Sequence, residues 1–401
     1  MEELKKEPLW TKNFLIVSSI NFLIILIFFL LVVTIGEYAV DEFGASTSTA
    51  GLISSIFIIG TLIGRLFTGR IIVSVGTKKT FFIGLSFFVV TTLSYFFAVN
   101  LSLLMVIRLL HGLSVGIIST ATGTVVAQII PHSRRGEGIG YYSMSIVLAT
   151  AIGPFIGILL TQAFDHYQII FLFNTVLVAI CVGVSFLLKI ADPKRLHTDT
   201  EQNKKTGFSI KNYIEPKAMN ISFIALLVGF VYSGVMSFLS FYSKDIHLVK
   251  SGSLFFLVYA IAVLVSRPVT GPLMDQRGAN IVIYPALILF GLGMALFSQA
   301  TNSFIFLLSA CIIGFGYGNF NSIAQALAIK GIEPERLGHA TSTYFILYDL
   351  GLGAGPFVLG FFVTIMGYRH LFLAMVPILA IAIMLYSVFV GKKEKMEANA
   401  A

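Results

Sequence analysis

Apolar residues in this chain run on for about 20 positions at a time, and short polar stretches separate the runs. Twelve runs can be read, over roughly 13–36, 49–69, 79–98, 101–123, 139–162, 169–189, 217–241, 253–273, 279–299, 303–328, 341–365 and 369–391. Each is long enough to cross a hydrocarbon core about 30 Å thick. Backbone inside hydrocarbon has to satisfy its own hydrogen bonds, so the pattern predicts twelve membrane helices. The polar amino terminus, MEELKKEPLWTKN, leads into the first run without a small-residue cleavage site, which reads as a retained span and not a signal peptide.

Composition agrees: 57% of the residues are hydrophobic, 11% are charged, and the mean hydropathy is +0.91. Soluble domains carry about 25% charge, which excludes an ordinary globule. The net charge of +8 changes the picture only through its distribution. With alternate loops assigned to alternate sides, 23 of the 27 Lys and Arg fall on the side of both termini. Lys244, Lys250 and Arg369 fall on the other side, and Arg108 lies within a span. This is the positive-inside pattern, and it predicts a cell-membrane protein with both termini cytoplasmic. The basic charge sets topology and gives no reason to expect nucleic acid.

The halves repeat. RLFTGRIIVSVG at 65–76 returns as RPVTGPLMDQRG at 267–278, so that Arg65, Gly69 and Gly76 recur as Arg267, Gly271 and Gly278, 202 positions on. At the same offset Gly112 and Gly116 return as Gly314 and Gly318, Arg134 and Gly136 as Arg336 and Gly338, Tyr142 as Tyr344, and Gly153-Pro154 as Gly355-Pro356. Two acids break the rule: Asp275 stands opposite Val73, and Asp349 opposite Val147. The reading is a six-helix half over 1–189, a polar cytoplasmic linker over 190–216 and a second half over 217–401. Parallel repeats of this kind place a transport site between the halves, near the midplane.

These residues resemble the major facilitator superfamily over nearly the whole chain, and its drug:proton antiporter branch in particular. The loop signature G-x-L-x-D-x-x-G-x-K/R is similar to GRIIVSVGTKK, which keeps Gly69, Gly76, Lys78 and Lys79 but has Val73 at the acid. GPLMDQRG keeps Gly271, Leu273, Asp275 and Gly278. LLMVIRLLHGLSVG is similar to the pattern L-x-x-x-R-x-x-Q-G-x-x-x-G of the fourth helix, with His111 in place of Gln, and ATAIGPFIG is similar to the antiporter signature of the fifth. The resemblance implies an all-α fold of twelve transmembrane helices in two pseudo-symmetric halves. It also implies proton-coupled efflux of drug-like or amphipathic small molecules by alternating access. Export of a dedicated metabolite, such as a metal chelator or sugar, and flipping of a lipid or glycolipid remain as alternatives on the same fold.

Candidate residues follow from charge and position. Asp349 is an acid placed in hydrocarbon without a repeat counterpart, which suits proton binding; a neutral, hydrogen-bonded carboxyl is the competing reading. Arg108 has to face a polar cavity, a partner or the surface, and the resemblance gives it a part in proton transfer. Glu37 is a candidate proton entrance, although it and Asp41 also read as solvated loop acids near the external mouth. Arg65, Gly69, Gly76, Lys78, Arg267, Gly271, Asp275 and Gly278 form the expected cytoplasmic gate, or else simply anchor helix ends. Gly153, Pro154, Gly157, Gly355 and Pro356 are the expected hinge, a small-residue strip in contact between the halves or a packing strip alone. Asn21, His111, Asn319, Asn321 and Gln325 are cavity candidates or bonds between neighbouring helices.

Enzyme chemistry is not indicated. No G-x-x-x-x-G-K-[ST] phosphate loop occurs, and GLGAG at 351–355 lies in a membrane helix. The histidines have no metal spacing, and Cys181 and Cys311 read as buried small hydrophobes. The expectation is a monomer in a lipid bilayer, with a small molecule and protons as partners and no cofactor or metal.

Overall fold

The computed structural model describes residues 7–45, 47–164, 166–190, 214–394 and 396. Residues 191–213 of the expected linker lie outside them. Among the described residues, eleven helical stretches are long and apolar enough to cross a membrane. The last, Pro334–Glu394, holds 61 residues and is two spans in one, because Gly367 breaks it with φ 73° and ψ 171°. Twelve spans result, as the hydrophobic pattern predicts.

They are α1 (Lys12–Phe43), α2 (Thr47–Val75), α3 (Thr77–Leu93), α4 (Leu101–Ile129), α5 (Arg135–Ala163) and α6 (Gln168–Ser185) in the first half. The second half holds α7 (Pro216–Asp245), α8 (Val249–Arg277), α9 (Asn280–Ser298), α10 (from Ser303 to Ile329), α11 (337–366) and α12 (368–386). Helix starts are set by side chains that accept an orphan backbone N–H. Thr11 caps α1, and Asn100 and Asn302 cap α4 and α10 at matching places in the repeat. The expected turn after the second helix of each half is present: Gly76 and Gly278 sit at φ 98° and 82°, where a side chain would be strained.

Small residues decide how closely the helices cross. Gly60 and Gly64 of α2 meet Gly112 and Gly116 of α4 backbone to backbone. A Cβ on Gly112 would fall 2.0 Å from the Phe57 carbonyl oxygen, and one on Gly60 2.1 Å from that of Leu109. Gly314 of α10 meets the Tyr259 carbonyl in the same way, at 2.7 Å. Here the halves differ, because Gly314–Gly318 forms a π-turn that α4 lacks.

The strip around Gly153 requires a correction. Gly153 and Gly157 of α5 lie against α1, where added Cβ atoms would meet Phe29 at 2.7 Å and Val33 at 2.9 Å. Gly355 of α11 lies against Phe230 and Ser233 of α7. Both strips are therefore closed inside their own halves and not between them. Pro154 and Pro356 lie inside these helices without ending them. The first span also runs further than the hydropathy suggested. Glu37 and Asp41 belong to the last two turns of α1, exposed, and Asp41 accepts from Tyr167 of the loop before α6 at 2.5 Å.

Candidate functional site

The two halves meet along α5–α8 and α2–α11, and the residues that break the repeat sit on these seams. On the first, Asp275 at the end of α8 accepts from the backbone N–H groups of Gly136 (2.7 Å) and Glu137 (2.9 Å). These are orphan donors in the first turn of α5, where the helix dipole also favours an anion. The approach needs two glycines: a Cβ on Gly271 would lie 2.6 Å from the Glu137 Cα, and one on Gly136 2.8 Å from the Gly271 oxygen. Arg135 ties the same helix start to the carbonyl of Ile329 at the end of α10, at 2.7 Å. Arg134 holds Glu137 through two contacts of 2.7 and 2.8 Å.

Of the residues expected in the cytoplasmic gate, Asp275 does bridge the halves, but it does so through backbone amides, and neither Arg65 nor Arg267 is bonded to it. Asp275→Ala removes two charge-assisted bonds worth about 1.5–3 kcal/mol each. We expect the buried Met274, replaced by Cys, to be alkylated faster from the basic side in that variant. An unchanged rate would remove Asp275 from the expected gate.

On the second seam no acid is available at the equivalent place. Val73 is 43% exposed, Ile72 packs on Gly338, and Gly69 faces Ser342 and His339. Lys78 lies exposed beyond the turn. Val73→Asp should supply the start of α11 with an anion, strengthen closure by about 1–2 kcal/mol and slow cycling. Unchanged turnover in a transport assay would show that position 73 does not reach the seam.

The α2–α11 seam has its acid deeper. Asp349 of α11 pairs with Arg65 of α2, 2.9 Å from Nε to Oδ2, with side-chain exposures of 14% and 9%. The Arg65 guanidinium also lies over the Phe345 ring, 4.3 Å from its centroid, and Ser342 donates to the Arg65 carbonyl. Sequence reasoning put Arg65 in the cytoplasmic gate and Asp349 in proton coupling; the fold joins them into one ion pair across the halves. Arg267, the repeat counterpart of Arg65, donates from Nη2 to the Gly318 carbonyl at 2.8 Å and has no carboxylate partner among the described residues. It too lies deeper than a gate residue at the helix end.

The other candidates separate from this site. Arg108 is fully buried within the first half, bonded to Tyr95 (3.2 Å) and the Ile53 carbonyl (3.4 Å), with its guanidinium 4.7 Å from the Phe57 centroid. His111 bonds the same Tyr95 at 3.0 Å. Both side chains are fully enclosed by α2, α4 and the 94–97 turn that follows α3, so Arg108 does not snorkel to the surface. Asn21 bonds Ser145, joining α1 to α5, and Asn319 bonds Thr270 and the Phe315 carbonyl, joining α8 to α10. Asn321 accepts from Tyr344 at 2.6 Å, and Gln325 is buried on α10.

Sequence reasoning missed a group of tyrosines in the second half. Tyr232 stacks on Tyr317 with centroids 3.7 Å apart, Tyr317 and Tyr348 share a hydroxyl bond, and Tyr348 lies parallel to Tyr344 at 6.0 Å. The repeat carried the signal: Tyr259, Tyr317 and Tyr348 stand where the first half has Phe57, Val115 and Ile146.

A profile described as Major Facilitator Superfamily matches residues 17–356 and again 221–401. An uncharacterized MFS-type transporter, MJ1560 of Methanocaldococcus jannaschii, is 26% identical over 335 residues, covering 82% of this chain and 86% of that protein. Multidrug resistance protein 2 of Bacillus subtilis is 27% identical over 354 residues, covering 80% and 85%. Among solved structures, the human organic anion transporter MFSD10 superposes with a TM-score of 0.75 at 16% identity. It covers 95% of this chain and all of its own, a likeness of fold alone.

Proposed function

The chain belongs to the Major Facilitator Superfamily and is a multi-pass membrane transporter of small molecules, not an enzyme; from that premise we propose that it exports drug-like or amphipathic molecules in exchange for protons. The observation that carries the proposal is the Arg65–Asp349 pair, the one acid–base contact described between the halves within the membrane. Breaking it by protonation removes an attraction that holds α2 against α11. Proton binding thereby acquires a differential effect on two arrangements of the halves, which coupling requires.

Polar contacts across the halves run from this pair to Asp275 and Arg135 on the basic side. This is what closure on that side demands. With Lys and Arg concentrated there, that side is the cytoplasmic one, and both termini share it. The Bacillus subtilis relative, named a multidrug resistance protein, supports the substrate class. One chain supplies both halves of the site, so a monomer suffices.

The test is efflux from cells expressing the protein, using amphipathic fluorophores of positive, zero and negative charge. Efflux of at least one, collapsing with a protonophore, is the expected result. Efflux that survives the protonophore sinks proton coupling. If no fluorophore is exported from cells with verified expression, the drug-like class falls, and cell metabolites and envelope lipids become the compounds to assay.

A further inference from the structure

We propose that Arg267 is an anion-recognising group of the transport site, and that the transported class is an aromatic, amphipathic molecule bearing a single carboxylate. The inference rests on the export reading above and specifies its substrate.

The argument starts from a mismatch between the two halves. Both arginines of the repeat are buried in the membrane, where an uncompensated charge is costly. Arg65 has Asp349 as its counter-ion. At the corresponding place opposite Arg267 the chain has Val147, and Ser143 stands where Arg65 has Phe345. Arg267 is 2% exposed and donates from Nη2 to the Gly318 carbonyl. Its Nε and Nη1 make no hydrogen bond, as is also true of Arg65, but Arg65 has the Asp349 carboxylate beside it and Arg267 has none among the described residues. Across the seam stands Gly140 of α5, and a Cβ there would meet nothing within 4 Å except the Arg267 Cδ, at 3.8 Å. The guanidinium therefore has two idle donors beside a residue that leaves room, a combination that a carboxylate satisfies with charge-assisted bonds.

The surroundings define the rest of the ligand. Tyr259 lies two turns before Arg267 on α8 and packs on Tyr232 and Tyr317, with centroids 5.7 and 6.4 Å apart. With Tyr348, which lies parallel to Tyr344, they form one aromatic cluster that supplies ring faces to an aromatic ligand when the halves part to admit it. The π-turn at Gly314–Gly318 supplies both Tyr317 and the carbonyl that holds Arg267. Charge bookkeeping sets the valence: Asp349 neutralises Arg65, so the pair of arginines leaves one positive charge, which repels a cation and matches one anionic group.

The experiment uses the purified full-length protein and three pyrene probes of matched length: a pyrene-alkyl carboxylate, its neutral methyl ester and a pyrene-alkyl amine. Equilibrium binding is read by probe fluorescence. The wild type should bind the carboxylate at least tenfold more tightly than either analogue. Arg267→Gln should abolish that preference while still binding the ester as the wild type does, which shows the site is folded; Arg267→Lys should retain part of the preference. A wild type that prefers the amine or ester, or a Gln variant that still prefers the carboxylate, overturns the role of Arg267 and leaves the export reading standing. Absence of binding by all three probes overturns the substrate assignment, and the efflux assay with its three fluorophores then decides the export reading by itself.

Discussion

Asp349→Asn is expected to leave the protein inserted and folded but to uncouple it: efflux should no longer depend on the proton gradient. Removing one member of a buried pair costs about 3–5 kcal/mol because the other charge is left uncompensated. The partial exposure of both side chains places this pair near the lower end of that range. That loss falls on the contact between halves, each of which closes its own core through α2–α4 and α5–α1 or their counterparts. It should therefore appear as a shift between conformations and not as unfolding. About 3 kcal/mol is more than a hundredfold in population.

A cysteine at position 72, where Ile72 packs buried against Gly338, reports the shift. In a background lacking Cys181 and Cys311, alkylation from the basic side should accelerate in Asp349→Asn. It should accelerate in the wild type on acidification, because protonation neutralises the same carboxylate. The double variant Arg65→Gln with Asp349→Asn replaces the charged pair by a neutral one. Closure should recover, since such replacements are often near neutral, but pH dependence should not. Proton-driven transport by Asp349→Asn at the wild-type rate would exclude this carboxylate from coupling.

Gly112→Leu should abolish assembly altogether. Even the first carbon of a side chain would lie 2.0 Å from the Phe57 carbonyl oxygen and 2.8 Å from its carbon, so no rotamer relieves the clash. Overpacking that flexible neighbours can absorb costs about 1–3 kcal/mol. Here the obstacle is helix backbone, and α4 would have to move bodily off α2, pulling Arg108 away from the Ile53 carbonyl and the Phe57 ring. Gly112→Ala should already lower the yield of monodisperse protein and its thermal midpoint. Gly291→Ala provides the internal control: nothing lies within 4 Å of that position, and replacing a helical glycine should be neutral or stabilising by up to about 1 kcal/mol. Equal behaviour of the two alanine variants in fluorescence-detected gel filtration would contradict the proposed crossing.

The number of spans, the repeat, the side on which Lys and Arg gather and the glycine turns at 76 and 278 were legible in the sequence. All of these rest on local properties: hydropathy over about 20 residues, charge per loop, and a φ that only glycine adopts cheaply. The break at Gly367 could be read the same way, as a gap between two apolar runs. Asp349 also stood out locally, because an acid inside an apolar run needs a reason wherever it points.

Its partner was not legible. Arg65 and Arg267 carry the same local pattern, and only the packing of α2 on α11 and α8 on α5 gives one an aspartate and leaves the other facing a valine's position. The same holds for Asp275, whose ligands are backbone amides invisible in a side-chain motif, and for Gly153, whose strip could have met either half. A sequence made of two like bundles determines each bundle and its orientation. Which faces meet is a property of the two bundles together, because a contact between helices depends on the shape of both surfaces, and one helix encodes only its own.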